Sequence, residues 1–234
     1  MLNNVSLDNT KVMKNLTTLI ESFSIKRPLM LVLCGPFLSS SEMNSAASVN
    51  NVKQSIANFY NLLVSKEKIM KDMFVVLIPD VEDLGPSQMP KKPLPEYLFQ
   101  NILSKFPMFY LAENPFRFCI FGKNIVISKA NLLKNLCRQT IGTVTKDKQI
   151  TDHFVATIKG QRSLIPLPTR MMQRWPRLEH SINFLSQPDV LILCDNFAKP
   201  FCEEGMASPG NFFSETYYLE LEMDNWETSI HNLN

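Results

Sequence analysis

The residues best suited to chemistry are carboxylates just after apolar runs. Asp80, Glu82 and Asp83 follow Met73–Ile78, Asp195 follows Val190–Cys194, and Asn4 lies near the start. Oxygen donors at strand ends can hold Mg or Ca. A hydrolytic metal site would need four or more O or N ligands, usually including histidine. The chain has three histidines, His153, His180 and His231, and none follows an apolar strand. The favoured expectation is therefore that Asp80, Glu82 and Asp83 cap turns and the next helix. Nucleophilic catalysis has less support. No GxSxG motif occurs, and Cys34, Cys119 and Cys194 lie in or beside apolar strands, where free cysteine behaves as core. One basic cluster, Lys159, Arg162, Arg170, Arg174 and Arg177 around Trp175, could meet nucleic acid or an acidic partner. A solvated face with an amphipathic Trp is the favoured alternative.

These groups need elements to hold them. Asp8 reads as the N-cap of a helix carrying Val12, Leu16, Leu19, Ile20 and Phe23. Leu29–Cys34 is a buried strand turned by Gly35-Pro36, and Ser39–Asn51 reads as a flexible loop. Val52, Ile56, Phe59 and Leu63 mark a second helix, and Met73–Ile78 a second strand. Pro95 starts a helix with Tyr97, Leu98, Ile102 and Phe106. Phe116–Phe121 and Ile125–Ile127 form a hairpin through Gly122-Lys123, after which Ser128 caps a helix with Leu132, Leu133 and Leu136. Asp152 opens a short helix around Phe154, Val155 and Ile158, and Pro176 breaks a helical or irregular stretch from Thr169 to Leu185. Val190–Cys194 is the third buried strand, and Tyr217–Met223 a late one. Short strands apolar on both faces, alternating with helices, imply an α/β fold with a parallel sheet covered by helices. Its site would lie in the loops after the strands, Cys34–Phe37, Pro79–Asp83 and Asp195–Phe197.

Composition narrows the function classes. With 24 Lys+Arg against 22 Asp+Glu, the net charge of +2 gives no global attraction for phosphate backbones. Seven Gly against 15 Pro, with no GxGxxG or GxxxxGK(S/T), weaken nucleotide-binding readings. Five widely spaced cysteines without a CxxC pair imply neither a disulfide framework nor a Cys-type zinc site, and suit a reducing intracellular compartment. No apolar run reaches membrane-spanning length, and the opening residues do not read as a signal peptide.

Five segments in order carry a resemblance: LVLCGPF; FVVLIPDVEDLGPSQMPKKPLPE; NPFRFCIFGKNIVISKANLLKNLCRQ; HFVATIKGQRSLIPLP; and PDVLILCDNFAKPF with SPGNF. From Val5 to the C-terminus the chain resembles the B-subunit family of DNA polymerases alpha, delta and epsilon. The HFVATI…LIPLP segment leans to the epsilon branch.

That resemblance implies a calcineurin-like phosphoesterase fold, a β-sheet sandwich flanked by helices. Active relatives of the fold hold two metals with the motifs DxH, GDxxD, GNH(D/E), a lone His and GHxH. Matched to this chain, the first falls on Asn4-Val5-Ser6 and the second starts at Gly35, with Pro36 in place of the bridging Asp. The third falls on Asp80-Val81-Glu82-Asp83, the lone His near Ser163, and the last on Cys194-Asp195-Asn196-Phe197. Nearly every ligand is replaced, so the resemblance implies an inactive scaffold that binds no metal or cofactor. It also implies residues 1–234 as one phosphoesterase-like domain. The resemblance further implies no room for the family's N-terminal helical and oligonucleotide-binding-type domains, and it allows a sheet short of an edge strand.

The function so implied is that of a nuclear, non-catalytic accessory subunit in DNA replication. Its partners would be the cysteine-rich C-terminal region of the polymerase epsilon catalytic subunit, the other small subunits and, indirectly, DNA; no membrane is involved. Leu94 in the proline-rich loop, Arg162, Arg170, Arg174, Arg177 and Phe201 are the candidate contacts. The alternatives are a residual metal-dependent phosphoesterase using Asp80, Glu82, Asp83 and Asp195, and a DNA-binding module built on the basic cluster.

Overall fold

The computed structural model describes residues 1–234 except 39–45, 142–148, 185, 204 and 234. Three parallel strands form the first sheet: β1 (Met30–Cys34), β2 (Phe74–Ile78) and β3 (Phe109–Leu111), in that order. A second, mixed sheet contains β4 (Phe116–Ile120), β5 (Lys123–Lys129), β6 (Val190–Cys194), β7 (Phe201–Glu203) and β8 (Met206–Ser208), ordered β4-β5-β6-β8-β7. A final hairpin joins β9 (Tyr217–Leu221) to β10 (Thr228–Asn232).

The layering follows from residue parity, because successive strand side chains point to opposite faces. Leu31 and Leu33 of β1 and Val75 and Leu77 of β2 join one core, under α1 (Thr10–Ser22), α2 (Ala46–Ser65), the one-turn α3 (Glu67–Met70) and α4 (Glu96–Lys105). Their alternates Val32, Cys34, Val76 and Ile78 pack instead with Ile125, Ile127, Val190, Ile192 and Cys194 of the second sheet. On that sheet's outer face, Val126, Leu191 and Leu193 pack with Phe154, Val155 and Ile158 of α6 (Ile150–Gln161). The arrangement is helices, sheet, sheet, helices, which is why all three apolar runs are buried on both sides. The expectation of one parallel sheet is thus corrected. β6 lies parallel to β5 in the second sheet and does not join β1 and β2. A buried run reports two covered faces but not its neighbour.

Several local expectations also change. Asn9, not Asp8, caps α1, its Oδ1 accepting from Lys11 N at 2.9 Å and Val12 N at 3.1 Å. Helix α2 begins at Ala46, inside the stretch read as a loop, whose first seven residues lie outside the described ones. The hairpin turn falls at Phe121 (φ 48°) and Gly122 (φ 76°), both left-handed as a two-residue primed turn requires. Ser128 is buried within β5 and caps nothing. Gln149 holds the N-cap position of α6, and Asp152 reaches back to its N–H at 2.9 Å. Pro176 starts a 3-10 turn, Pro176–Ile182, rather than breaking a helix. Tyr97 on α4 is exposed, and Phe99 takes the core position expected of it. β3, β7, β8 and β10 are too short or too polar to be recognised by pattern. No described helix is long and apolar enough to cross a membrane.

Candidate functional site

The ends of β1, β2, β5 and β6 meet at one edge of the two stacked sheets. Cys34 and Cys194 place their Sγ atoms 3.7 Å apart there, and burial pushes the Cys194 thiol pKa upward, with Cys34 adding to the shift. Both are core groups, as expected, whereas Cys119 of β4 is exposed rather than core, on the outward side of a strand covered on one face only.

A lysine that pattern reading did not single out holds the centre. Lys129, the last residue of β5, has a fully buried side chain. Its Nζ lies 3.1 Å from Asp80 Oδ2 beyond β2 and donates to Asn196 Oδ1 beyond β6 at 2.6 Å. Asn114 frames the same point. Its Oδ1 accepts from Lys129 N at 3.0 Å, while its Nδ2 donates to Lys129 O at 2.6 Å and Pro79 O at 2.9 Å. The cationic charge between these strand ends is therefore a side-chain ammonium. The signal in the sequence was a lysine closing an apolar strand, IVISK.

Asp83 is spent on the backbone. Its Oδ1 accepts from Phe37 N and its Oδ2 from Asp80 N, both at 2.8 Å, tying the loop after β1 to the loop after β2. Gly35 is needed because Asp83 comes so close to it: a Cβ there would stand 2.1 Å from Asp83 Oδ2. Lys91, 1% exposed, completes this loop by donating to the carbonyls of Val81, Asp83, Gly85 and Pro86 at 3.2, 2.6, 3.3 and 3.1 Å. Burial lowers the Lys91 pKa, opposed by Asp83 and Asp80.

Burial raises the Asp83 pKa from 3.8 to about 7, with Asp80 adding to the shift and the two N–H donors and Lys91 opposing it. The folded state then holds this proton more tightly than the unfolded chain. The resulting stability is complete below about pH 4 and lost as pH rises to about 7. Relative to Asp83→Asn, the native chain is expected to lose a few kcal/mol, on the order of 3, across that window. Urea unfolding of both proteins at pH 4, 5.5 and 7 measures it, and parallel stability–pH curves would refute it.

Asp195 is a helix cap reaching across chain space. Its Oδ2 accepts from Leu132 N at 2.6 Å and Leu133 N at 2.7 Å, at the start of α5 (Leu133–Gln139), and its Oδ1 from Phe197 N at 2.7 Å. It supplies the cap expected of Ser128. Asp195→Ala is expected to cost about 2 kcal/mol, read as a lower melting temperature, because buried N–H groups lose their acceptor. Asp195→Asn should recover part of it.

The other degenerate motif positions distribute around this edge. Asn4 adopts a left-handed φ of 65° and donates to Asn211 Oδ1 at 3.0 Å. Its neighbour Asn3, which is buried, donates to Gly210 O at 2.8 Å and Asp195 O at 3.2 Å. Ser6 Oγ lies 3.4 Å from Pro36 O. Val81 is half-buried and Glu82 exposed, with Glu82 N donating to Asp80 Oδ1 at 3.1 Å. Ser163 accepts from Ile165 N at 3.3 Å and bridges to Asn183. Phe197 is 55% exposed, under Lys134 Nζ. Among the described residues, no three His, Cys, Asp or Glu side chains converge as a ligand set. The donor chemistry does not fit a two-metal centre: every Asp83 and Asp195 oxygen already has a donor, and Asp80 faces an ammonium.

The expected contact residues divide. Leu94 and Phe201 are buried at 4% and 7% exposure, Leu94 in the core beneath α4 and Phe201 edge-on to Phe154. Neither presents a surface as it stands. Arg174 braces its own loop, donating to Ile165 O at 2.6 Å and to Leu167 O, and pairing with Glu179 at 3.0 Å. Arg162, Arg170 and Arg177 are exposed.

Residues 1–203 match the family model for the B subunit of DNA polymerase alpha/epsilon. The chain belongs to this family. Its relatives include DNA polymerase epsilon subunit 2 of Drosophila melanogaster (28% identical, 83% of this chain, 36% of the relative) and of Homo sapiens (26%, 90% and 40%). The DNA polymerase epsilon B-subunit of Arabidopsis thaliana is 24% identical over 98% of this chain and 45% of its own length. The chain thus spans less than half the length of these relatives. In fold it is similar to a crystal structure of a Thermus thermophilus protein, with a TM-score of 0.51, 11% identity, and coverage of 100% of this chain and 97% of that one.

Proposed function

We propose that this chain is a non-catalytic, phosphoesterase-like domain of a nuclear accessory subunit of DNA polymerase epsilon. In this reading it holds the cysteine-rich C-terminal region of the catalytic subunit, and it meets DNA only through the assembly. Family membership supports the polymerase context. The observation that carries the non-catalytic reading is Lys129, whose ammonium occupies the point between the strand ends that a hydrolytic centre would give to metal. A scaffold needs that edge to be rigid rather than reactive, and the network of Asp80, Asn114, Lys129 and Asn196 makes it so.

The contact surface in this reading is exposed: Arg162, Arg170 and Arg177, with the outer residues 85–87 and 92–93 of the proline-rich loop. Lys91 holds that loop from beneath, so it offers a preorganised rather than a floppy face.

The test is co-expression of the full chain with the cysteine-rich tail of the same organism's epsilon catalytic subunit, followed by size-exclusion chromatography. A stoichiometric complex is the expected result. Separate elution of a chain that is folded by circular dichroism would overturn the partner assignment. Manganese-dependent hydrolysis of bis-p-nitrophenyl phosphate that disappears in Asp80→Asn would overturn the non-catalytic one.

A further inference from the structure

A polar cleft of about 490 Å³ lies between the start of α1, the outer side of α2 and the short α7 (Phe212–Glu215). Helix periodicity explains its lining. Val52, Ile56 and Phe59 turn one face of α2 into the core, which leaves Gln54, Ser55 and Asn58 to face the cleft. Ser6 and Ser55 are both buried, whereas Gln54 and Asn58 are exposed. The cleft therefore has depth and is not a flat stretch of solvated helix.

Its amides are already set. Gln54 Nε2 donates to Asn58 Oδ1 at 3.0 Å, one helical turn on, which leaves Gln54 Oε1 as an acceptor and Asn58 Nδ2 as a donor. Asn9 Oδ1 is committed to the N–H groups of Lys11 and Val12, so its Nδ2 is a second donor. Both arrangements exist before anything binds, which lowers the cost of ordering them. Phe213 adds an aromatic face. It is 40% exposed beside the fully buried Phe212, and Asn211 Oδ1 fixes it by accepting from Phe213 N at 3.0 Å.

Charge selects the ligand class. Among the described residues lining the cleft, Asp8 is a carboxylate and none is a cation. Phosphates, carboxylates and a nucleic-acid backbone are therefore disfavoured. A neutral group offering an N–H beside a C=O matches Gln54 Oε1 and Asn58 Nδ2, and the peptide unit is such a group. We propose that this cleft binds an extended, uncharged or basic peptide segment by its main chain, with one apolar side chain against Phe213. The choice of partner rests on the polymerase reading: the segment belongs to the C-terminal region of the catalytic subunit. This contact is separate from the arginine face. Helices α1 and α2 cover the first sheet, whereas Arg162 ends α6 on the second.

Calorimetric titration of the full chain with that C-terminal region tests the site. Gln54→Leu/Asn58→Leu is expected to weaken binding by about tenfold or more, because two main-chain groups of the ligand lose their partners. Both side chains are exposed, so the variant should keep the native circular dichroism and melting temperature. Ala57→Leu, on the same helix but outside the cleft, should bind as the native chain does. The loss should be equal at about 0.05 and 0.5 M salt, because no charge is removed. A photoreactive benzoyl group on the Phe213 ring should cross-link to the added region. Native affinity in the double variant, beside a native chain that binds, would overturn this inference and leave the polymerase reading standing. A native chain that does not bind would remove that reading and this occupant together. Cross-linking to a second copy of the chain instead, or a loss confined to low salt, would also overturn the inference.

Discussion

Lys129→Met is expected to destabilise the folded chain by about 3–5 kcal/mol, the usual cost of removing one member of a buried ion pair. Methionine keeps much of the volume, so the loss is electrostatic. Asp80, 2% exposed, would be left without its countercharge, and Asn196 Oδ1 would lose a donor at 2.6 Å. The double variant Lys129→Met/Asp80→Asn tests the cause, because neutralising the carboxylate should restore a large part of the stability. Urea midpoints with unchanged m-values would measure both effects. A single variant within about 1 kcal/mol of the native chain would mean that the ammonium does not organise this edge. The functional consequence is on the same scale. β2, β5 and β6 belong to two different sheets, and Lys129 is the group that Asp80 and Asn196 share across them. Losing it should loosen the strand ends and any partner contact resting on them.

Gly35→Ala is expected to cost at least about 3 kcal/mol, well above an ordinary glycine substitution, because the new methyl has nowhere to go. It would stand 2.1 Å from Asp83 Oδ2, 3.0 Å from Asp80 N and 3.1 Å from Phe37 N. Asp83 accepts from those same two amides, so moving the carboxylate breaks two buried hydrogen bonds at once. Gly160 provides the control. It lies in α6 with nothing within 4 Å of a Cβ, so Gly160→Ala should stabilise the chain by about 0.5–1 kcal/mol. Thermal denaturation of the two variants should therefore shift in opposite directions. Equal shifts would show that the approach of Asp83 to Gly35 can relax.

The burial pattern, the elements long enough to show periodicity, and the family are all written in the order of the amino acids. β1, β2 and β6 were legible because continuous apolar runs of strand length leave few other options. The hairpin was legible too, although its turn lies at Phe121-Gly122 rather than at the Gly122-Lys123 that the sequence suggests. Which sheet each strand joins came from the folded chain alone, since Val32 and Val190 carry the same hydrophobic signal yet lie in different sheets. So did the roles of Lys91, Asn114, Lys129 and Asp195. Such residues default to solvent or to local turns in a sequence reading. Most of their partners here lie 15 to 67 positions away, as with Asn114 to Lys129 O and Lys129 to Asn196, or are backbone carbonyls that no side-chain pattern encodes. Hydrophobic burial is a property of single residues and is written locally. The pairing of a buried charge depends on where distant strand ends meet, and that exists only once the two sheets have stacked.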